Sequence, residues 1–423
     1  MSGEASPDVA RAGRAAGKQF AAAAGIMVAG ILASRVLGLV REIVASRYFG
    51  AERYIVADCY RAAFSLPDLL YFLIAGGALS SAFIPVFTEY LTRGEEEEAW
   101  RVYSVFGTVL GLGLAILILL GMIFTEPLVR YVVAPDFPPE KIALTVSLTR
   151  IALPAQLAFF IGGLMISTLY ARQYFLTPAL GPVIYNLAII AGAIVGGAWL
   201  GPERGVFGMV WGVLVGAFVG NVLLQLFPLR RLGVRYRPSL DLRHPGVRRV
   251  ARLVLPVILG LSLPQLHLII ARRFASGLAQ GSITWLTNAN YLMQLPLGVF
   301  AQALGIAIFP TLSQLAARRD VAGLREQFSL GLRSILFLTV PSSALIILLA
   351  TPLVRLLFQY GAWTPNDTTA TAAATVWYSV AIFAISGQAI VNRGFYALQD
   401  TLTPMLVGTV VTLIYLVVNV AIV

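Results

Sequence analysis

Long apolar runs separated by short polar segments make up most of this chain of 423 residues. Each run has about 20 residues or more, enough for a helix to cross roughly 30 Å of hydrocarbon. Eleven runs meet this length, at residues 19–44, 62–88, 103–124, 143–169, 178–200, 206–228, 250–271, 283–312, 331–350, 368–391 and 403–423. Proline and glycine recur inside them, as in helices that bend around a cavity. The pattern predicts an all-α polytopic membrane protein.

The amino-acid composition agrees with a membrane protein and limits the kinds of cofactor and metal site that the chain could form. Hydrophobic residues make up 58% of the chain and charged residues 12%, whereas soluble domains average about 25% charged residues. The single cysteine, Cys59, excludes a disulfide framework within the chain, and the two histidines, His244 and His267, are far apart. We therefore expect no metal and no cofactor. The sequence has no Gly-x-x-x-x-Gly-Lys loop, so we do not expect ATP to drive the protein directly.

The distribution of basic residues predicts the orientation in the membrane. With the N-terminus in the cytosol, nineteen of the 31 Lys and Arg residues lie on the cytosolic side and nine on the outer side, as expected for inner-membrane proteins. Residues 1–18 then form a disordered cytosolic tail, and residues 229–249 form a basic cytosolic linker near anionic headgroups. Arg61 falls in an outer loop, and Arg272 anchors an outer interface. Because topology explains the net charge of +11, we expect no nucleic-acid partner.

Short segments recur at an offset of about 225 residues, which indicates an internal repeat. TEPLVR at 125–130 resembles TPLVR at 351–355, and LYARQ at 169–173 resembles FYALQ at 395–399. The repeat unit contains six spans. Because six is even, both copies enter the membrane from the same side and form parallel repeats.

The repeat predicts two six-helix lobes around a central cavity. The N-terminal lobe is residues 19–228 (spans 1–6), and the C-terminal lobe is residues 250–423 (spans 7–11). Because the second lobe has only five spans, we expect its last helix to be absent from this chain.

Charged residues in the first apolar run indicate a polar cavity. An arginine at the bilayer centre costs at least about 2.5 kcal/mol, so it usually faces protein or water. Arg35 and Arg41 are six residues apart and lie about 120° apart on a helix. Arg41 and Glu42 are neighbours in sequence, and we expect their side chains to diverge. The alternative is that the arginines extend to the membrane interface.

Several motifs resemble those of a known family. SRVLGLVRE at 34–42, LPDLL at 66–70 and AFIP at 82–85 resemble the N-terminal signature of the MurJ (MviN) family. LPLGV at 295–299 and PTLS at 310–313 continue the resemblance. Members of this family are lipid II flippases of the multidrug/oligosaccharidyl-lipid/polysaccharide exporter superfamily.

The resemblance implies four substrate-binding residues: Arg35, Arg41, Glu42 (in place of the usual Asp) and Asp58. The chain departs from the family where Tyr71 replaces an arginine and Gly76 an acid. Residues 290–294 read Asn-Tyr-Leu-Met-Gln instead of Asp-Arg-Leu-Met-Glu. Six further polar residues either line the cavity or make ordinary helix contacts: Asp68, Tyr71, Arg150, Asn290, Tyr291 and Gln294.

The expected function is translocation of lipid II, the polyprenyl-diphosphate-linked peptidoglycan precursor, from the inner to the outer leaflet of the bacterial cytoplasmic membrane. The membrane potential or an ion gradient would drive it. Expected partners are the lipid-linked glycan, membrane lipids and the cell-wall synthesis machinery. Three alternatives stay open: a flippase for another polyprenyl-linked glycan, a non-transporting scaffold of cell-wall synthesis, and a cation-coupled small-molecule exporter.

Overall fold

A computed structural model describes residues 7–51, 55–74, 78–250, 269–400 and 402–422. Within these ranges the chain folds into helices joined by short connections, with no β-strand, which confirms the all-α class. Most of the predicted seventh span lies outside the described residues, and so does Gly76.

The N-terminal half, residues 7–250, is described first. Its helices are α1 (Pro7–Phe49), α2 (Val56–Ala63), α3 (Ser65–Ile74), α4 (Ala78–Thr92), α5 (Glu96–Ile123), α6 (Thr125–Leu128), α7 (Pro139–Ala152), α8 (Ala155–Ala171), α9 (Leu176–Trp199), α10 (Gly201–Ala217) and α11 (Leu224–Arg231). A π-helical segment follows α6, and another joins α10 to α11. Pro154 divides the predicted fourth span into α7 and α8, because proline lacks the N–H that a continuous helix needs.

The C-terminal half, residues 269–422, begins with a helical stretch at 269–276. Its further helices are α12 (Ser282–Pro296), α13 (Gln302–Ala317), α14 (Val321–Phe358), α15 (Pro365–Val380), α16 (Ile382–Ala397) and α17 (Leu402–Ile422). A capping box fixes the start of α15: the Asp367 backbone N–H donates to Thr364 Oγ1 at 3.1 Å, and the Thr364 N–H donates to Asp367 Oδ2 at 2.8 Å.

Seven helical segments of the described chain are long and apolar enough to cross a membrane. They are Glu96–Ile123, Pro139–Ala171, Leu176–Trp199, Gly201–Arg231, Val321–Phe358, Pro365–Ala397 and Leu402–Asn419. These segments match the predicted third to sixth and ninth to eleventh spans. The hydropathy pattern therefore located them correctly.

The first helix extends further towards the N-terminus than the sequence pattern predicts. It begins at Pro7, so the predicted disordered tail is wrong for residues 7–18. Alanine occupies four of these twelve positions, and alanine is the strongest helix former. Residues 7–18 extend the long helix α1, so they form helical turns without the free-energy cost of nucleating a separate helix.

Close packing of α1, α9 and α10 positions the first helix. A Cβ atom on Gly208 of α10 would lie 2.6 Å from the Gly192 carbonyl oxygen of α9. A Cβ on Gly30 of α1 would lie 2.7 Å from the Ala179 carbonyl oxygen of α9. Small residues let membrane helices approach this closely. The packing therefore holds the polar face of α1 beside α9.

The two halves meet where α1 ends. The Ala362 N–H, in the loop between α14 and α15, donates to the Arg47 carbonyl oxygen at 2.8 Å. Gly50 and Gly361 have φ angles of 62° and 65°, and a Cβ on Gly50 would lie 2.7 Å from the Ala362 carbonyl oxygen. Glycine is needed here because other L-residues rarely adopt positive φ. Apolar residues of both halves, including Ala51 and Phe358, form one buried cluster beside this contact.

Candidate functional site

Arg41 and Glu42 of α1 form an ion pair near the junction of the halves. Arg41 Nε and Nη2 donate to Glu42 Oε1 at 3.2 and 3.0 Å. The expectation that their side chains diverge is wrong, because the long arginine side chain folds back along the helix to reach its neighbour. Glu42 is only 2% exposed, so the pair lies inside the protein.

Arg61 of α2 joins this pair from the other side. Its Nη1 donates to Glu42 Oε2 at 2.9 Å, and its Nη2 donates to Asn288 Oδ1 at 2.8 Å. The prediction that Arg61 lies in an outer loop is wrong, because α2 packs beside the end of α1 and buries the side chain. We call Arg41, Glu42 and Arg61 the arginine cluster. Two guanidinium groups share one carboxylate, which gives the cluster a net charge of +1.

Neutral polar groups supply the remaining contacts of the arginine cluster. Arg41 Nη1 donates to Asn186 Oδ1 of α9 at 3.2 Å, and Arg41 Nη2 donates to the Tyr291 hydroxyl of α12 at 2.9 Å. Asn288 of α12 accepts the hydrogen bond from Arg61 through its side-chain oxygen. Its side-chain NH₂ group donates to Ser46 Oγ at 3.2 Å. The structure thus places Tyr291, one of the predicted cavity residues, against Arg41. The C-terminal half contributes neutral acceptors to the cluster, while the charges belong to the N-terminal half.

Asp58 joins the halves at the start of α12. Its carboxylate accepts hydrogen bonds from the Gly281 N–H at 2.8 Å and from the Thr284 N–H and hydroxyl at 3.0 and 2.7 Å. Lys141 Nζ lies 4.0 Å away. A carboxylate at a helix N-terminus satisfies free backbone N–H groups and interacts favourably with the helix dipole. Asp58 is 3% exposed here, and its role in substrate binding stays a prediction.

A second ionic contact between the halves involves Asp68 of α3. Arg272 Nη2 donates to Asp68 Oδ2 at 3.3 Å, and Arg272 Nη1 donates to Ser65 Oγ at 2.9 Å. Arg272 thus contacts the other half of the chain, and its role as an anchor at an outer interface stays a prediction. Asp68 contacts this arginine and not the arginine cluster.

Arg35 lies apart from the cluster and is exposed. A π-helical segment, Leu297–Ala301, follows α12. The guanidinium group of Arg35 reaches Gly298 of this segment, where a Cβ atom would collide with it. Arg35 also lines a cavity of about 310 Å³ together with Ser34 of α1 and Tyr170 and Pro182 of α8 and α9. The six-residue spacing had placed Arg35 and Arg41 on different faces of α1, and the structure gives them different partners.

The other predicted cavity residues have separate surroundings. Tyr71 packs edge-on against Phe159, with ring centroids 5.5 Å apart. Arg150 is exposed, and its Nε donates to the Met122 carbonyl oxygen at 3.1 Å, so the structure does not bring it to the arginine cluster. Gln294 donates to Asn290 Oδ1 at 2.5 Å, one helical turn away on α12.

Sequence reasoning missed Arg61, Asn186 and Asn288. A signal for Arg61 was present, because it lies three residues after Asp58 at the start of an apolar run and the two share one helix face. Neither asparagine stood out, because each is an uncharged residue in a long helix. Among the residues that the structure describes, no group of His, Cys, Asp and Glu is arranged to hold a metal ion.

Comparison with known sequences matches almost the whole chain to one family. The sequence model of the family described as "Lipid II flippase MurJ" matches residues 45–423. The lipid II flippase MurJ of Burkholderia cenocepacia is 33% identical over 380 residues, which cover 88% of this chain and 72% of that protein. The probable lipid II flippase MurJ of Bdellovibrio bacteriovorus is 31% identical over 409 residues, which cover 93% and 75% of the two chains.

Solved structures show the same fold. A lipid II flippase MurJ in an inward closed conformation matches with a TM-score of 0.80 at 24% identity, covering 93% of this chain and 80% of that one. A multidrug resistance MATE family transporter of the MOP superfamily, in an inward-facing conformation, matches with a TM-score of 0.67 at 14% identity, covering 90% and 84%. The sequence matches, together with this fold, show that the chain belongs to the lipid II flippase MurJ family.

Proposed function

We propose that this chain moves lipid II from the inner to the outer leaflet of the bacterial cytoplasmic membrane. The observation that carries the proposal is the arginine cluster. Two arginines on one carboxylate place a net positive charge inside a membrane protein, at the junction of its halves. Charged groups inside a membrane protein usually mark the path of a substrate or ion. Family membership then favours a lipid-linked anion as the substrate.

The chemistry of the cluster suits a diphosphate. A guanidinium group offers planar, paired N–H donors that match two phosphate oxygens, and it keeps its positive charge at all physiological pH values. In the proposed mechanism the diphosphate binds at Arg41 and the glycan occupies the central cavity. The polyprenyl tail stays in the bilayer. No covalent bond forms or breaks.

Alternating access would come from rocking of the two halves. In the conformation described, Asp58 and the Arg47–Ala362 contact hold the halves together at one end. With the N-terminus in the cytosol, as the basic residues predict, this end faces outward. Loading from the cytosol, parting of these contacts and release to the outer leaflet would follow in that order.

The membrane potential is the proposed driving force. One elementary charge that crosses the full field gains about 2.3 kcal/mol per 100 mV. The empty cluster carries a net charge of +1, so a potential negative inside would favour its return toward the cytosol. A bound diphosphate reverses the sign of the site, and the loaded site would then be driven outward.

Two measurements test the proposal. The chain should support growth of a bacterium depleted of its own lipid II flippase, and the purified protein in liposomes should move lipid II between leaflets. A potential negative on the loading side should increase the initial rate. Transport of another polyprenyl-linked glycan but not of lipid II would reassign the substrate. Rescue of growth without transport of any lipid-linked glycan would instead support the scaffold alternative.

A further inference from the structure

Arg61 of α2 has a role that pairing with Glu42 does not explain. Arg41 already neutralises Glu42, since its Nε and Nη2 both donate to Oε1. Arg61 adds a second positive charge, and only 8% of its side chain is exposed. A buried charge without a counter-charge of its own is unfavourable.

The hydrogen bonds of Arg61 leave one edge of its guanidinium group without a charged acceptor. Nη1 donates to Glu42 at 2.9 Å. On the edge formed by Nε and Nη2, Nη2 donates to the neutral Asn288 oxygen at 2.8 Å, and Nε is buried without a hydrogen-bond partner. The two N–H groups of this edge are parallel and fit two oxygens of one phosphate group. A phosphate would satisfy the free Nε donor and replace a neutral acceptor with a charged one.

The residue that covers this edge belongs to the other half of the chain. Asn288 lies on α12, whereas Arg41, Glu42 and Arg61 lie on α1 and α2. When the halves part after loading, Asn288 leaves and both arginines stay with Glu42, so Arg61 would join a diphosphate that Arg41 already holds. Hydrogen bonds to neutral acceptors are weaker than those to a carboxylate, so the contact with Asn288 opens before the one with Glu42. Separation of the halves thus uncovers two guanidinium groups side by side.

We propose that Arg61 is a second phosphate-binding residue, whose Nε–Nη2 edge binds one phosphate of a diphosphate while Arg41 binds the other. This inference rests on the proposed function for its substrate class. Two arginines allow each phosphate group to meet its own guanidinium group. Arg61 therefore makes the site selective for diphosphate-linked over monophosphate-linked polyprenyl lipids.

The test compares the binding of two lipids, a polyprenyl diphosphate and the corresponding monophosphate, to the purified full chain in detergent. Arg61→Gln should weaken diphosphate binding about ten- to a hundredfold, the range of a charge-assisted contact, and change monophosphate binding much less. Arg61→Lys should recover only part of the loss, because lysine lacks the paired donors. The matched control is Arg130→Gln, since Arg130 also pairs with a glutamate, Glu126, but is 45% exposed. It should bind both lipids like the unmodified chain.

A double variant separates phosphate binding from simple neutralisation. Arg61→Gln with Glu42→Gln removes one charge of each sign, so the cluster keeps its net charge of +1 and no buried carboxylate is left unpaired. This variant also serves if Arg61→Gln alone does not fold. Persistent loss of selectivity for the diphosphate in the double variant supports the proposal. Recovery of full diphosphate affinity would show that Arg61 only neutralises Glu42, and would overturn it.

The proposed function can fail independently of Arg61. If the chain does not move lipid II but binds polyprenyl diphosphate in an Arg61-dependent way, the transport proposal is refuted and the assignment of Arg61 stands. If lipid II is transported and Arg61→Gln keeps both its affinity and its selectivity, the assignment of Arg61 is refuted and the transport proposal stands.

Discussion

Replacing Asp58 with asparagine is expected to shift the protein away from the conformation in which the halves meet. The carboxylate accepts three hydrogen bonds from Gly281 and Thr284, all in the other half of the chain. Asparagine keeps the shape and one acceptor oxygen, but its NH₂ group faces an N–H donor where the second oxygen stood. It also loses the negative charge that interacts with the start of α12. The substitution therefore acts on the contact between the halves.

The size of the shift follows from these contacts. Hydrogen bonds to a charged acceptor contribute about 1.5–3 kcal/mol each, and contacts within one network are not additive. Because asparagine keeps one of the two acceptor atoms, we expect a net loss of about 2–4 kcal/mol. This loss corresponds to a change of about 30- to 700-fold in the equilibrium between the joined and parted halves, at 1.4 kcal/mol per factor of ten.

Disulfide formation between cysteines at positions 47 and 362 measures this equilibrium, in a chain without the native cysteine. The Ala362 N–H and the Arg47 carbonyl oxygen are joined by a hydrogen bond of 2.8 Å, so the two residues are direct neighbours, as a disulfide between them requires. Asp58→Asn should slow the cross-linking strongly. The control is Asp136→Asn, since Asp136 is exposed and makes one contact of 3.4 Å with Ser276 of the other half. Equal cross-linking rates for Asp58→Asn and the parent would refute the reasoning.

Three further predictions concern transport, packing and topology. Arg41→Ala should abolish lipid II transport while the protein keeps its normal abundance. Arg41→Lys should restore transport only in part, because lysine lacks the planar, paired N–H donors of arginine. Arg130→Ala is the control and should transport normally, so equal transport by the two alanine variants would contradict the role of Arg41. Gly208→Leu should lower the thermal unfolding temperature in detergent, because its side chain would meet the α9 backbone. A Cβ atom on Gly113 meets nothing within 4 Å, so Gly113→Leu should leave that temperature unchanged. Single cysteines within 229–249 should resist an impermeant thiol reagent outside intact cells, and ready labelling would reverse the predicted orientation.

The arginine cluster shows where sequence reasoning stops. Arg41 and Glu42 stood out because charged residues are rare in apolar runs, and their own helix brings them together. Arg61 and Arg272 also stood out as basic residues, but counting charges placed both on the outer side of the membrane. That count gave neither residue its partner, whereas the structure pairs Arg61 with Glu42 and Arg272 with Asp68. A count of basic residues depends only on where each residue falls along the chain. It therefore cannot identify a partner that is remote in sequence.

The sequence by itself determined the all-α membrane class, the positions of seven spans and the family, because hydropathy and short motifs are local properties of the chain. Only the tertiary structure decided that Asp58 binds the start of α12, that Arg61 shares Glu42 with Arg41, and that Asn186, Asn288 and Tyr291 complete the cluster. These contacts join residues up to 250 positions apart. Their geometry depends on how the helices pack. The glycines that allow this packing can be recognised only when the backbone that faces them is known.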